Sequence, residues 1–133
     1  RSGEDSASLY GMLGDLYFGR GQLGQAVEAY EKALSIEPDN AIVLNNYAWL
    51  LATGEDPAYR HPQRALELAE RAAALEKSPH VLDTLAESLF VNGRIARAIE
   101  VAQDALEKAK SNRAYYEGQI EKFKSAHEAP SAD

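Results

Sequence analysis

Three stretches of this chain carry apolar or small residues at one and the same helical spacing, and that repetition limits the fold more than any other feature. Tyr10, Leu13, Gly14 and Tyr17 fall at i, i+3, i+4 and i+7, a single stripe along a helix. Leu44, Tyr47, Ala48 and Leu51 repeat the spacing, and Leu82, Leu85, Ala86 and Leu89 repeat it again. Each stripe is followed by a second one, built on Ala26, Tyr30 and Ala33, then Ala65, Ala69 and Ala72, then Ala98, Ala102 and Ala105. Gly21 ends the first helix where a positive φ is cheap, and Pro38 stops the second. Two short helices joined by a glycine turn lie antiparallel. Gly14 and Ala26 have almost no side chain, so the backbones approach there while Tyr and Leu side chains fill the flanks. Such a hairpin cannot bury both of its faces alone, which is why the motif must stack on copies of itself.

Leu13 and Tyr47 are 34 residues apart, whereas Tyr47 and Leu85 are 38 apart, so the second hairpin carries an insertion. It is Thr53 to Pro62, with turn or helix-start signals at Asp56-Pro57 and His61-Pro62. Tyr59 and Arg60 at its tip either form a contact site or fold back, Tyr59 onto the hairpin and Arg60 onto an acid. The spacing predicts a flexible segment 1–6 with Asp5 or Ser6 as the first cap, hairpins at about 7–40, 41–78 and 79–110, a last helix 112–127, and a polar tail 128–133. Ser78 and Ser111 are the expected caps of the fifth and last helices. In the last helix Tyr116, Ile120 and Phe123 form the apolar stripe that covers the third hairpin, and Glu117, Gln119, Glu121 and Lys122 are expected to face water. Ile120 takes the place of Gly14, Ala48 and Ala86, and its branched side chain would hold off any following helix.

Composition removes several function classes. The 133 residues, 45% hydrophobic and 26% charged, suit one ordinary globular domain. There is no cysteine, hence no disulfide, thiol nucleophile or thiolate metal site. Fourteen Lys and Arg against 21 Asp and Glu give a net charge of −7, which argues against tracking nucleic-acid phosphates. The longest apolar run, Tyr47 to Ala52, is far short of the roughly 20 residues of a membrane span. Neither a signal peptide nor direct membrane insertion is expected, and the compartment stays open. Beginning at Arg1, the chain reads as a processed or cloned fragment. His61, His80 and His127 are too scattered for a metal site, and no phosphate loop, HExxH or nucleophile elbow occurs, so no cofactor is expected. Asp83 and Glu87 stand at i, i+4; an acid/base pair would need one of them buried with a raised pKa, and the spacing reads instead as two solvated acids.

The series Tyr10, Leu13, Gly14, Tyr17, Ala26, Tyr30, Pro38 resembles a tetratricopeptide repeat. The second and third units keep the small residues but have Leu for the leading aromatic, Ala for the later one, and Lys77 and Lys110 in place of the closing Pro. The Asn45–Thr53 and Asp56–Ala72 stretches are similar to bacterial members of the family. The resemblance implies an all-α, right-handed α-solenoid of three helix-turn-helix repeats plus a capping helix, acting as a non-catalytic scaffold or adaptor. It also implies that the first helix of each unit lines a concave groove. The off-stripe residues there include Asp15, Phe18, Asn45, Trp49, Asp83, Glu87 and Phe90. Trp49 is either an anchor for a partner or a contact between neighbouring units. The implied partner is a protein or peptide with apolar or aromatic anchors and a basic residue. Family members that grip the terminal carboxylate of heat-shock chaperones use a Lys, Asn and Arg clamp. Here only Asn46 matches it, with Gly11, Asp15, His80 and Thr84 at the other positions, so no such binding is expected. Two alternatives stay open: self-association through the uncapped amino-terminal face, and a regulatory segment of a larger protein.

Overall fold

The computed structural model describes residues 2–128, and every regular element among them is helical. The helices are α1 (Ser2–Gly19), α2 (Leu23–Ile36), α3 (Ala41–Thr53), α4 (Pro62–Leu75), α5 (Pro79–Val91), α6 (Ile95–Lys108) and α7 (Arg113–Glu128), with one 3-10 turn at Pro57–Tyr59. α1 packs on α2, α3 on α4 and α5 on α6; α3 also contacts α1 and α5, and α7 packs on α6. None of these helices is long and apolar enough to cross a membrane.

The turns show how the insertion is accommodated. Gly21 at φ 75° and Gly93 at φ 79° close α1 and α5, and the residue after each donates its N–H to a carbonyl one turn back, Gln22 to Tyr17 and Arg94 to Leu89, both at 2.9 Å. Leu51 is the equivalent carbonyl in the second unit, and it accepts the N–H of His61, also at 2.9 Å. The loop therefore leaves and re-enters the hairpin at the point where a short turn would have closed. Pro62 then starts α4, while the His61 Nδ1 accepts the Arg64 N–H at 3.3 Å.

The small-residue seam is buried throughout. Ala26, Ala48, Ala65, Ala86 and Ala98 are all at 0% exposure. Gly14 has a more particular role than close backbone approach, because a Cβ there would lie 2.5 Å from two atoms of the Tyr30 ring. Tyr30 is itself fully buried and stacks on Tyr47 with ring centroids 5.5 Å apart. On the last helix, Phe123 is fully buried with its ring 4.8 Å from that of Phe90.

Several local expectations are corrected. α1 starts at Ser2, so residues 2–6 belong to the helix, and Asp5 and Ser6 lie within it instead of capping it. Ala7 is fully buried, and packing thus reaches further back than the stripe beginning at Tyr10. Ser78 does occupy the N-cap position of α5, but its hydroxyl donates to Glu76 at 2.8 Å and makes no cap bond. Ser111 does not cap α7. Asn112 takes a left-handed φ of 56°, its carbonyl accepts the N–H groups of Tyr115 and Tyr116, and Arg113 ties the junction to the Leu106 and Ala109 carbonyls, each at 2.9 Å. Of the expected tail, Glu128 ends α7 and 129–133 lie outside the described residues.

Candidate functional site

The odd-numbered helices share one side of the molecule, where a groove of about 500 Å3 opens. α1 contributes Asp15 and Phe18, α3 contributes Asn45, Asn46 and Trp49, α5 contributes Asp83, and Tyr115 of α7 adds a wall. A neighbouring cleft of about 630 Å3 has Trp49 and Tyr115 in common with it and adds Arg60, Glu87, Gln119 and Lys122. Trp49 is half-buried where the two meet.

Side chains at the α1 end form a chain of hydrogen bonds. The Tyr30 hydroxyl donates to Asp15 Oδ1 at 2.5 Å, Asn46 Nδ2 donates to the same oxygen at 3.0 Å, and Asn45 Nδ2 donates to Asn46 Oδ1 at 3.2 Å. Asn45 is 5% exposed, and its Oδ1 has no partner among the described residues. Burial, then the bond to Asp15, pushes the Tyr30 phenol far above its ordinary pKa, so that proton stays in place.

At the other end the structure overturns the expectation for the two acids. Asp83 and Glu87 are only 6% and 5% exposed. Asp83 accepts the Tyr115 hydroxyl at 2.7 Å and Gln119 Nε2 at 3.0 Å; Glu87 Oε1 accepts Gln119 Nε2 at 3.0 Å and Lys122 Nζ at 2.7 Å. Burial raises the Asp83 pKa, against the pull of Gln119, Tyr115 and Lys122. A carboxyl raised in the folded state contributes stability that is complete below its unfolded pKa and lost as pH rises through the folded one. The hydrogen bonds from Tyr115 and Gln119 work against that cost of burial. The pair fastens α7 to α5. Gln119, expected to face water, points inward at 9% exposure, whereas Lys122 stays exposed as expected while its ammonium reaches back to Glu87 and over the Phe90 and Phe123 rings at 5.4 and 5.1 Å.

Of the nominated residues, Asp15, Phe18, Asn45, Trp49 and Asp83 come together in the groove, Glu87 lines the adjoining cleft, and Phe90 packs beneath α7. The insertion tip is not a free pair. Tyr59 folds back so that its hydroxyl sits 2.8 Å from where a Cβ on Gly24 would be. Arg60 donates to the Gly54 carbonyl at 2.5 Å and the Glu55 carbonyl at 3.2 Å, bracing the loop's own backbone instead of an acid. Sequence reading missed Tyr115, Gln119 and Lys122. They stand at i, i+4 and i+7, a second stripe beside Tyr116, Ile120 and Phe123, and that spacing was the available signal.

Residues 14–51 match the family described as TPR repeat. The TPR domain of Sgt2 from Aspergillus fumigatus superposes with a TM-score of 0.77, covering 96% of this chain and 86% of that one at 23% identity. The fold is that of a tetratricopeptide-repeat solenoid. An uncharacterized protein, ycf37 of Pyropia yezoensis, is 50% identical over 42 residues, which is 32% of this chain and 24% of the relative. The chain's match thus spans about a quarter of that relative's length. In the tetratricopeptide-repeat frame, α1, α3 and α5 are the first helices of three units, and α7 stands where the first helix of a fourth would. Solenoids of this kind serve as scaffolds for protein–protein interaction.

Proposed function

We propose that this chain is a non-catalytic adaptor whose concave groove holds a segment of a partner protein, with Asp15, Phe18, Asn45, Trp49 and Asp83 among the contacts and Tyr115 joining them. The observation that carries the reading is the half-buried Trp49 at the meeting of two clefts, beside Phe18 and Tyr115 and between acids. Trp buries a large area at small entropic cost and dominates many interfaces. Apolar or aromatic anchors with a basic residue fit such walls best, and the kinship to bacterial family members belongs to this reading too. Trp49→Ala is expected to weaken partner binding by about 30-fold or more, the usual loss for a central aromatic anchor. Calorimetry with a partner captured from the source cell measures the affinity, and far-UV dichroism should stay unchanged. Unaltered affinity, or a collapse of helicity, would place Trp49 in the core and remove the groove from the account.

A second reading draws on the other side of α1. Leu9, Met12 and Leu16 are 56%, 67% and 49% exposed at i, i+3 and i+7, an apolar stripe of the sort a neighbouring helix covers. The occupant on this reading is a second copy of the chain, stacked end to end. Sedimentation velocity over a wide concentration range should show a dimer that Met12→Glu dissolves. A single monomeric species at every concentration would exclude it.

A further inference from the structure

The groove of the proposed adaptor has a polarity that its residue types alone do not reveal. Asp15, as a carboxylate, can only accept. Asn46 must therefore turn Nδ2 toward it, which leaves Asn46 Oδ1 to receive Asn45 Nδ2, which in turn leaves Asn45 Oδ1 as the unpartnered end. The hydroxyl protons are spent in the same inward direction. Tyr30 gives its hydroxyl proton to Asp15, Tyr115 gives its own to Asp83 at 2.7 Å, and Thr84 gives its own to the His80 carbonyl at 3.1 Å. What is left at the groove is the second oxygen of Asp15, the lone pairs of Thr84 and Tyr115, the buried and unpartnered Asn45 Oδ1, and one remaining N–H on each asparagine amide. No lysine or arginine is among the lining residues, and His80 turns Nδ1 to Ser78 at 3.2 Å. In the adjoining cleft Lys122 is engaged with Glu87, and Arg60 with the Gly54 and Glu55 carbonyls.

We infer that the groove is a receptor for a cationic side chain of its peptide partner, a guanidinium or ammonium group seated between Asp15 and Asn45, with its aliphatic stem against Trp49 and Tyr115. Two features independent of each other meet in this site: charge of one sign on the walls, and a buried acceptor whose orientation is dictated by its neighbours. A guanidinium satisfies both, since its planar fork reaches separated acceptors and its face stacks on aromatic rings. A carboxylate meets the asparagine N–H groups only beside the acidic side chains of Asp15 and Asp83. The inference rests on the adaptor reading, because it specifies what the same groove selects.

The test uses the whole chain and short end-capped peptides with flanking leucines and a central Arg, Lys, citrulline or Glu, followed by fluorescence anisotropy. Arg and Lys peptides should bind about tenfold or more tightly than the near-isosteric citrulline peptide, and the Glu peptide weakest. Added salt should narrow the gap. Asp15→Asn should remove most of the Arg peptide's advantage over the citrulline peptide. Should that variant fold poorly, the comparison among peptides on the natural chain still decides. Trp49-dependent binding with no preference for the cation, or with a preference for Glu, overturns this inference and leaves the adaptor reading standing. Absence of Trp49-dependent binding by any of the peptides counts against both.

Discussion

Phe123→Ala should cost about 3–5 kcal/mol of stability, the range for removing a fully buried phenylalanine. The side chain is at 0% exposure, and its ring meets Phe90 at 4.8 Å. Those two rings are the apolar half of the α7 attachment. The polar half, Gln119 and Lys122 on Asp83 and Glu87, depends on the helix position that Phe123 sets. If α7 detached, Asp83 and Glu87 would regain water, and that relief offsets part of the loss. It does not cancel it, because Tyr116, Ile120 and the α5–α6 surface beneath them would be uncovered together. A solenoid with an uncovered last repeat also loses solubility. Urea denaturation followed by dichroism gives the number, and a loss below about 1 kcal/mol would mean that α7 is not held by this contact. Because Tyr115 leaves with α7, peptide affinity should fall in the same variant.

Gly14→Val is expected to destabilise the chain by about 2–3 kcal/mol, although leaving glycine out of a helix ordinarily stabilises it. The space for a Cβ is occupied by the Tyr30 ring at 2.5 Å. That ring has nowhere to go, since it is fully buried, stacks on Tyr47, and is tied through its hydroxyl to Asp15 at 2.5 Å. The overpacking therefore outweighs a propensity gain of at most about 1 kcal/mol. Gly118, on the exposed side of α7, is the matched control: nothing lies within 4 Å of a Cβ there, and Gly118→Ala should stabilise. Thermal melts of the two variants should move in opposite directions. A stable Gly14→Val protein would show that the first hairpin tolerates separation, and the close-packed account of the stack would fail with it.

The fold was legible because the spacing of stripe residues depends only on helix geometry and on which side chains are small. Leu13–Gly14, Tyr47–Ala48 and Leu85–Ala86 mark the buried seam without any knowledge of tertiary structure. The groove was legible on α1 and α3, where off-stripe residues do face one side. It was misread on α5 for a reason that single-helix patterns cannot supply. Asp83 and Glu87 are off the stripe that meets α6, yet α7 arrives on that very side and buries them, so what reads as a solvated acidic face is a polar interface. Likewise Gln119 looks water-facing only while its partners are unknown. The direction of the Asn45–Asn46–Asp15 relay was beyond sequence, because it follows from which atoms touch. The insertion left two readings open that spacing could not separate: Tyr59 folds back toward Gly24 of α2, and Arg60 bonds the loop's own carbonyls while also lining the adjoining cleft.

The groove as the binding face is tested most directly by amide chemical-shift mapping of the labelled chain during titration with the central-Arg peptide. Perturbations should cluster at Asp15, Asn45, Trp49 and Tyr115 on the odd-numbered helices, with α4 and α6 quiet and α2 affected only around Tyr30, which bonds Asp15. Shifts confined to those even-numbered helices, or to the Leu9, Met12 and Leu16 stripe, would contradict it.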